Sequence, residues 1–272
     1  MVSIKRRCII PEGAEVANFV RSINKFIQQC DDIFLIEALS GRYTKKPIQG
    51  LANVKFPLMV SKVGCKGKFI YWEFMGTDLV LFNTLGMSGA WSNTPRHARV
   101  KFVTSKGDLY FNDARNFGTL KFCSSADLKR KLNSLGPDML NEYVSPELFK
   151  SRLKKHPNIT LAEALMNQHI ISGVGNYLKA DSLWLANLSP HRLVSNCSDT
   201  ELENLHKSVR NVILTAYQNG GSTILTYKGF DGQEGKHTML VYGRKTDPNG
   251  ETVISENTKD GRTTWWVPQI QK

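Results

Sequence analysis

At 272 residues with a formal net charge of +12, the sequence is long enough for one large or two medium hydrophobic cores, and two domains are expected. The charge suits a polyanionic partner, because clustered Lys and Arg displace counterions from a phosphate backbone; a merely soluble basic protein is the plainer alternative. The five cysteines, Cys8, Cys30, Cys65, Cys123 and Cys197, are odd in number and never paired as CxxC, which argues against a disulfide framework and a cysteine-rich zinc site.

A reduced intracellular location, nuclear or cytoplasmic, follows from that cysteine usage. The basic start MVSIKRRCII has no apolar stretch behind it of the kind a secretory signal needs, and no segment approaches the length of a membrane span. After Pro11, residues Val16, Phe19, Val20, Ile23, Phe26, Ile27 and Cys30 recur at three- and four-residue steps, the spacing of one helix face. Residues 33 to 122 change to short runs, FLIEAL, KFIYWEF, LVLFNTL, ARVKFV and LYFND, separated by Gly, Pro and Asn, which predicts a β-sandwich or barrel. From about residue 125 helical signals return. Ser145-Pro146 supplies an N-cap and a first-turn proline, and Ser198 to Glu201 forms a capping box before a helix carrying Leu202, Leu205, Val209, Val212, Ile213 and Tyr217. Beyond Gly220 the pattern is hairpin-like: LVYGRK, a turn at Asp247-Pro248-Asn249-Gly250, ETVISEN, a turn at Asp260-Gly261, and RTTWWV.

Three separated stretches belong together: Pro11-Glu12-Gly13-Ala14-Glu15-Val16, the segment from Met166 to Arg192 with GVGN inside it, and the terminal GRTTWWVPQIQK. With Gly67-Lys68, LGMSG (Leu85 to Gly89), DARNFG (Asp113 to Gly118), LGPD (Leu135 to Asp138) and GGST (Gly220 to Thr223) between them, the chain resembles the formamidopyrimidine-DNA glycosylase and endonuclease VIII family. The resemblance runs from Pro11 to Lys272. It implies an α+β fold: an N-terminal helix with a β-sandwich, then a helical domain with a helix-two-turn-helix and a β-hairpin finger. The implied divisions are 1–10 (extension), 11–140 (catalytic sandwich), 141–235 (DNA binding, with a lesion-covering loop) and 236–272 (finger). The implied partner is damaged double-stranded DNA, with single-stranded or bubble DNA as a second form, bound by a monomer.

In this family a proline nitrogen freed at the N-terminus attacks the sugar C1′ and forms a Schiff base, a role that falls here on Pro11. A terminal amine with a pKa near 8 is roughly a tenth neutral at pH 7, whereas an ordinary lysine has well under a thousandth neutral. By resemblance Glu12 protonates the sugar ring oxygen and later assists elimination, and Glu15 is a second carboxylate supporting the site and its contact with DNA. Read as structure only, PEGAEV is a helix start whose carboxylates complement the dipole. Ten residues precede Pro11, and their peptide link leaves its nitrogen a tertiary amide without a lone pair to give. The expected working form therefore starts at Pro11, by trimming or through a misassigned start. A catalytically blocked binder of damaged DNA is the competing reading.

The resemblance further implies that Lys68, Asn176 and Arg262 hold phosphates, Lys68 and Arg262 completing the catalytic set. It implies that Met87, Arg115 and Phe117 fill the gap left by the everted nucleotide; a Met and a Phe near strands are otherwise core residues. His169 and His191 lack carboxylate or Cys partners at metal spacing, so surface or cap roles suit them better than ligation. Val267 and Ile270 stand where zinc-bearing relatives carry Cys, so the finger resembles the zincless branch, and neither metal nor cofactor is expected. Val241, Val253, Trp265, Val267 and Ile270 are predicted to pack in the metal's place. The loop from Gly220 to His237 resembles the formamidopyrimidine branch instead, which leaves oxidised purines and oxidised pyrimidines both open as substrates.

Overall fold

The computed structural model describes residues 11–28, 31–222 and 228–272. The extension 1–10, residues 29–30 with Cys30, and residues 223–227 of the loop expected to cover the lesion lie outside the described residues. Helix α1 (Gly13–Ile27) is followed by β1 (Asp32–Ala38), a short α2 (Arg42–Lys45), and seven strands: β2 (Leu58–Lys66), β3 (Phe69–Phe74), β4 (Leu79–Thr84), β5 (Gly89–Ser92), β6 (Ala98–Thr104), β7 (Gly107–Asp113) and β8 (Thr119–Ser124). Helices α3 (Ser125–Ser134), α4 (Pro146–Lys154), α5 (Leu161–Met166), α6 (Asn176–Leu185) and α7 (Asp199–Gln218) come next, and the ribbon β9 (Ile254–Asn257) and β10 (Thr263–Trp266) closes the chain.

The eight strands order as β5-β7-β6-β1-β2-β3-β4-β8, all antiparallel. Strands β1 and β2 share two register pairs, Asp32–Met59 and Ile33–Leu58, so a narrow seam joins two four-stranded halves. The halves face each other across one core. Trp72 of β3 lies 5.3 Å from Trp91 of β5 and 5.6 Å from Phe102 of β6, ring centre to ring centre. The β-sandwich expected from the short runs of residues 33 to 122 is observed, within the α+β fold that the resemblance implies. The run KFIYWEF is apolar without alternation for a visible reason. Ile70, Trp72 and Phe74 face this core, while Phe69 and Tyr71 pack outward with Val80 and with Leu128 of α3.

Helix α1 couples this core to the second one. Its face of Val16, Phe19, Val20, Ile23 and Ile27 packs into the sandwich, whereas Ala14 joins the helical core with Leu165, Ile171, Tyr177 and Ile213. Asn18 Nδ2 donates to the Tyr217 carbonyl at 3.1 Å, tying α1 to α7. Ser145 and Ser198 cap α4 and α7 as their sequences predict, and Pro146 sits in the first turn of α4.

One expectation fails. The stretch LVYGRK, read as hairpin material, is not a strand. The backbone N–H groups of Leu240, Val241 and Tyr242 instead donate to the Asp181 carboxylate of α6, at 2.8, 3.0 and 3.1 Å, and so are unavailable to a ladder. The Asp247–Gly250 turn is formed, with Gly250 N donating to the Asp247 carbonyl at 3.1 Å. Its carboxylate also accepts from Asn249 N, Glu251 N and Trp184 Nε1.

Candidate active site

The site grows from three glycine-permitted contacts. Gly13 N donates to the Gly173 carbonyl at 2.9 Å, and a side chain at Gly13 would press into the Gly173 backbone. Gly67, with φ +57°, rests against Ser172 and Gly173. Gly175 has its Cα hydrogen against Glu12; a methyl there would overlap the carboxyl carbon. These close approaches draw PEGAEV, the Gly67-Lys68 turn and the GVGN turn to one place.

Glu12 is the N-cap of α1 and is 2 % exposed. Its Oε1 accepts from Tyr177 N at 2.9 Å and its Oε2 from Leu178 N at 3.2 Å, so the carboxyl sits on the N-terminal end of α6. Burial nevertheless dominates. It pushes the Glu12 carboxyl up to about 8, against the Lys68 charge and the two N–H bonds, with nearby Glu15 adding to the rise. Glu12 is consequently protonated at neutral pH, the form a general acid needs.

Glu15, fully buried, is raised for the same reason of burial. It accepts from Glu12 N at 3.0 Å, from the Tyr177 hydroxyl at 3.0 Å and from Ser222 N at 3.0 Å, and so binds α1, α6 and the start of the 220–237 loop together. Ser222 also bridges His237, which brings the two ends of that loop side by side.

Pro11 and Lys68 line one cavity of about 400 Å³, with Lys66 and Lys131 adding positive charge and Gly86, Gln168 and His169 completing its wall. Burial lowers the Lys68 ammonium, Glu12 opposes that fall and Arg262 adds to it. The turn carrying Lys68 is set by Asp138, whose Oδ2 accepts Gly67 N at 2.7 Å and whose Oδ1 accepts Leu140 N at 2.9 Å. Gln168 braces the GVGN turn, accepting Gly173 N at 3.1 Å and donating to the Val174 carbonyl at 2.9 Å.

Asn176 opens α6 and donates from Nδ2 to the Thr263 carbonyl at 2.9 Å, which leaves one amide hydrogen for a further acceptor. Arg262 is exposed at the ribbon turn beside it, following Gly261 with φ +74°. The ribbon itself is apolar at its base. Val241, Val253, Trp265 and Val267 cluster with Ala180 of α6, and Ile270 and Trp184 pack against them, as predicted for the residues standing where metal ligands are expected. Gln271 finishes the seal by accepting Val267 N at 2.7 Å and donating to the Leu188 carbonyl at 2.8 Å. Among the described residues no group of three or more His, Cys, Asp or Glu is placed to hold a metal ion. His169 meets the Ser134 carbonyl at 2.6 Å and His191 meets Glu256 at 2.9 Å.

Met87, Arg115 and Phe117 lie on two adjoining loops. Gly86 packs on the backbone of Phe117 and Gly118, and Asp113 joins the loops by accepting from the Ser88 hydroxyl and from Gly118 N at 2.6 Å. Phe117 is 53 % exposed and Met87 is half-buried, so neither is a core residue. The Arg115 guanidinium lies 5.1 Å from the Phe117 ring centre. Sequence reasoning gave no role to Tyr177, Lys179 and Asp181, and read Asp138 and Asp260 only as parts of a motif and a turn. For Lys179 a signal existed: a cation in the first turns of a helix opposes the dipole and calls for a partner.

Family models for the formamidopyrimidine-DNA glycosylase N-terminal domain, its H2TH domain and its C-terminal domain match residues 10–120, 135–228 and 230–272. The chain is 32 % identical to a formamidopyrimidine-DNA glycosylase of Rickettsia felis, covering 96 % of this chain and 98 % of that one. It is 30 % identical to another of Geobacillus kaustophilus, over 87 % and 85 %. Solved neighbours include a Lactococcus lactis FPG mutant in complex with Fapy-dG DNA, at TM-score 0.85 and 26 % identity over 96 % of this chain and 100 % of that one. The MutM (FPG) protein of Thermus thermophilus matches at TM-score 0.85 and 27 % identity over 96 % and 98 %. The chain belongs to the formamidopyrimidine-DNA glycosylase family.

Proposed function

We propose that the protein is a bifunctional DNA glycosylase and abasic-site lyase that excises oxidised bases from damaged double-stranded DNA. The observation that carries this reading is the Glu12 carboxyl, buried on Tyr177 N and Leu178 N and adjoining Pro11, which lines one cavity with Lys68. In this reading residues 11–140 hold the chemistry, 141–235 and the finger 236–272 grip DNA, and Arg115, Met87 and Phe117 occupy the gap left by the everted nucleotide.

The free nitrogen of Pro11 adds to C1′ and gives up its proton. The bond from C1′ to the base breaks, and the base leaves with the bonding pair and is protonated. The nitrogen lone pair then forms the C=N bond as C1′–O4′ opens, and O4′ takes the Glu12 proton. The Glu12 carboxylate left behind takes a C2′ proton as the 3′ phosphate leaves with its C–O bonding pair, loss of the C4′ proton to water expels the 5′ phosphate in the same way, and water hydrolyses the remaining iminium to release Pro11. Lys68, Asn176 and Arg262 hold the phosphates. None of these steps calls for a metal or cofactor. The relatives named formamidopyrimidine-DNA glycosylases and the neighbour holding Fapy-dG DNA favour formamidopyrimidines among the oxidised bases.

The scheme requires an unacylated Pro11, and we assign the working form to a chain beginning there. Borohydride trapping on an abasic-site duplex tests it, comparing the 272-residue chain with one starting at Pro11. The Pro11-starting form is expected to become covalently attached to DNA. A 272-residue chain that traps while keeping residues 1–10 overturns the assignment, and binding without trapping by both forms supports the blocked-binder alternative.

A further inference from the structure

Lys179 and Asp260 form a wholly enclosed ion pair that the reaction scheme leaves unused. Their side chains are 0 % and 2 % exposed, with Lys179 Nζ 2.5 Å from Asp260 Oδ2. The lysine lies near the start of α6, where both the helix dipole and the absence of water work against a cation. A residue so placed needs its partner, and its partner is the finger turn. Asp260 uses its other oxygen to accept from the Thr258 hydroxyl and from Arg262 N at 3.3 Å. Thr258 N in turn donates to the Arg262 carbonyl at 3.0 Å, and the Thr258 hydroxyl meets the Thr264 hydroxyl at 2.7 Å. The backbone on both sides of Arg262 is thereby held to the same first turns of α6 that hold Glu12 through Tyr177 N and Leu178 N.

We propose that Lys179 is a positioning residue: through Asp260 it locks the finger turn onto α6 and fixes where Arg262 stands relative to Glu12. It touches no substrate itself. The inference rests on the reading of Arg262 as a phosphate contact, and its test separates the two.

In the Pro11-starting form, Lys179→Met and Arg262→Ala are compared singly and together for binding and nicking of damaged duplex across a salt series, with folding followed by thermal melting. Arg262→Ala is expected to weaken binding and to reduce the steepness of the log K against log salt plot by about one unit. Lys179→Met is expected to reproduce most of that change, raising KM roughly tenfold or more with a smaller effect on kcat. The double variant is expected to be no worse than Arg262→Ala by more than about twofold, because both remove one contact. Lys179→Arg, which keeps the charge, should recover part of the loss. Should Lys179→Met fail to fold because Asp260 is stranded, Lys179→Met with Asp260→Asn removes both charges and is read on the same axes. Wild-type KM and salt dependence in the lysine variants, or full additivity with Arg262→Ala, overturns the inference. An unaltered Arg262→Ala overturns instead the reading of Arg262 on which it stands.

Discussion

Glu12 shows how a single carboxyl is tuned by what surrounds it. Removed from water, it holds its proton to about pH 8 although two N–H groups and Lys68 favour the anion. Its unfolded value is near 4.5, so folding takes up about one proton between those limits. The stability tied to this group is complete below pH 4.5 and is lost as pH climbs towards 8. Glu12→Gln is expected to flatten that part of the stability–pH curve in denaturant titrations, and to slow base excision by about 10²–10⁴-fold with loss of the alkaline limb of the rate profile. A wild-type rate in this variant would remove Glu12 from the scheme. Gly175→Ala tests the same atom from the other side: its methyl overlaps the carboxyl, and an expected cost of about 1–3 kcal/mol should accompany the loss of nicking. Pro11, Glu12 and Glu15 were legible because their side chains spell a motif. The donors that set Glu12 were not, since backbone N–H groups carry no letter and Tyr177 and Leu178 read as ordinary helix residues.

Among elements, α6 organises the molecule. One end carries Glu12, its middle carries Asp181 with three N–H groups of the finger, and Ala180 lies in the finger's apolar base. Burial raises the Asp181 carboxyl to about 6 even so. Asp181→Ala strands those buried donors, and a loss on the order of 3 kcal/mol is expected in urea unfolding. Trp265→Ala opens the cluster where metal ligands are absent; a cost of about 3–5 kcal/mol and a finger that melts first in hydrogen exchange are expected. Chelator should leave wild-type activity unchanged, and strict dependence on added metal would contradict the zincless reading. The ribbon's turns were visible in Asp247-Pro248-Asn249-Gly250 and Asp260-Gly261. The conformation of LVYGRK was not, because its pattern suits a strand and the Asp181 carboxylate that claims its N–H groups lies about sixty residues away in sequence.

For the whole molecule, the short runs of residues 33 to 122 between Gly, Pro and Asn and the caps of α4 and α7 made the two-core architecture readable, since turn residues and capping are local properties. The narrow β1–β2 seam and the role of α1 between the cores were not readable, because both depend on pairing at a distance. A net charge of +12 also belongs to this scale. If Lys68, Asn176 and Arg262 grip phosphate, binding to a damaged duplex should fall linearly in log K with log salt, and each cation removed from the grip should lower that slope by about one unit. The Glu12 carboxyl is cradled by amides encoded 165 and 166 positions later. The chemistry proposed for this site is thus withheld from nascent chains, and arises only after α6 has closed over the start of α1.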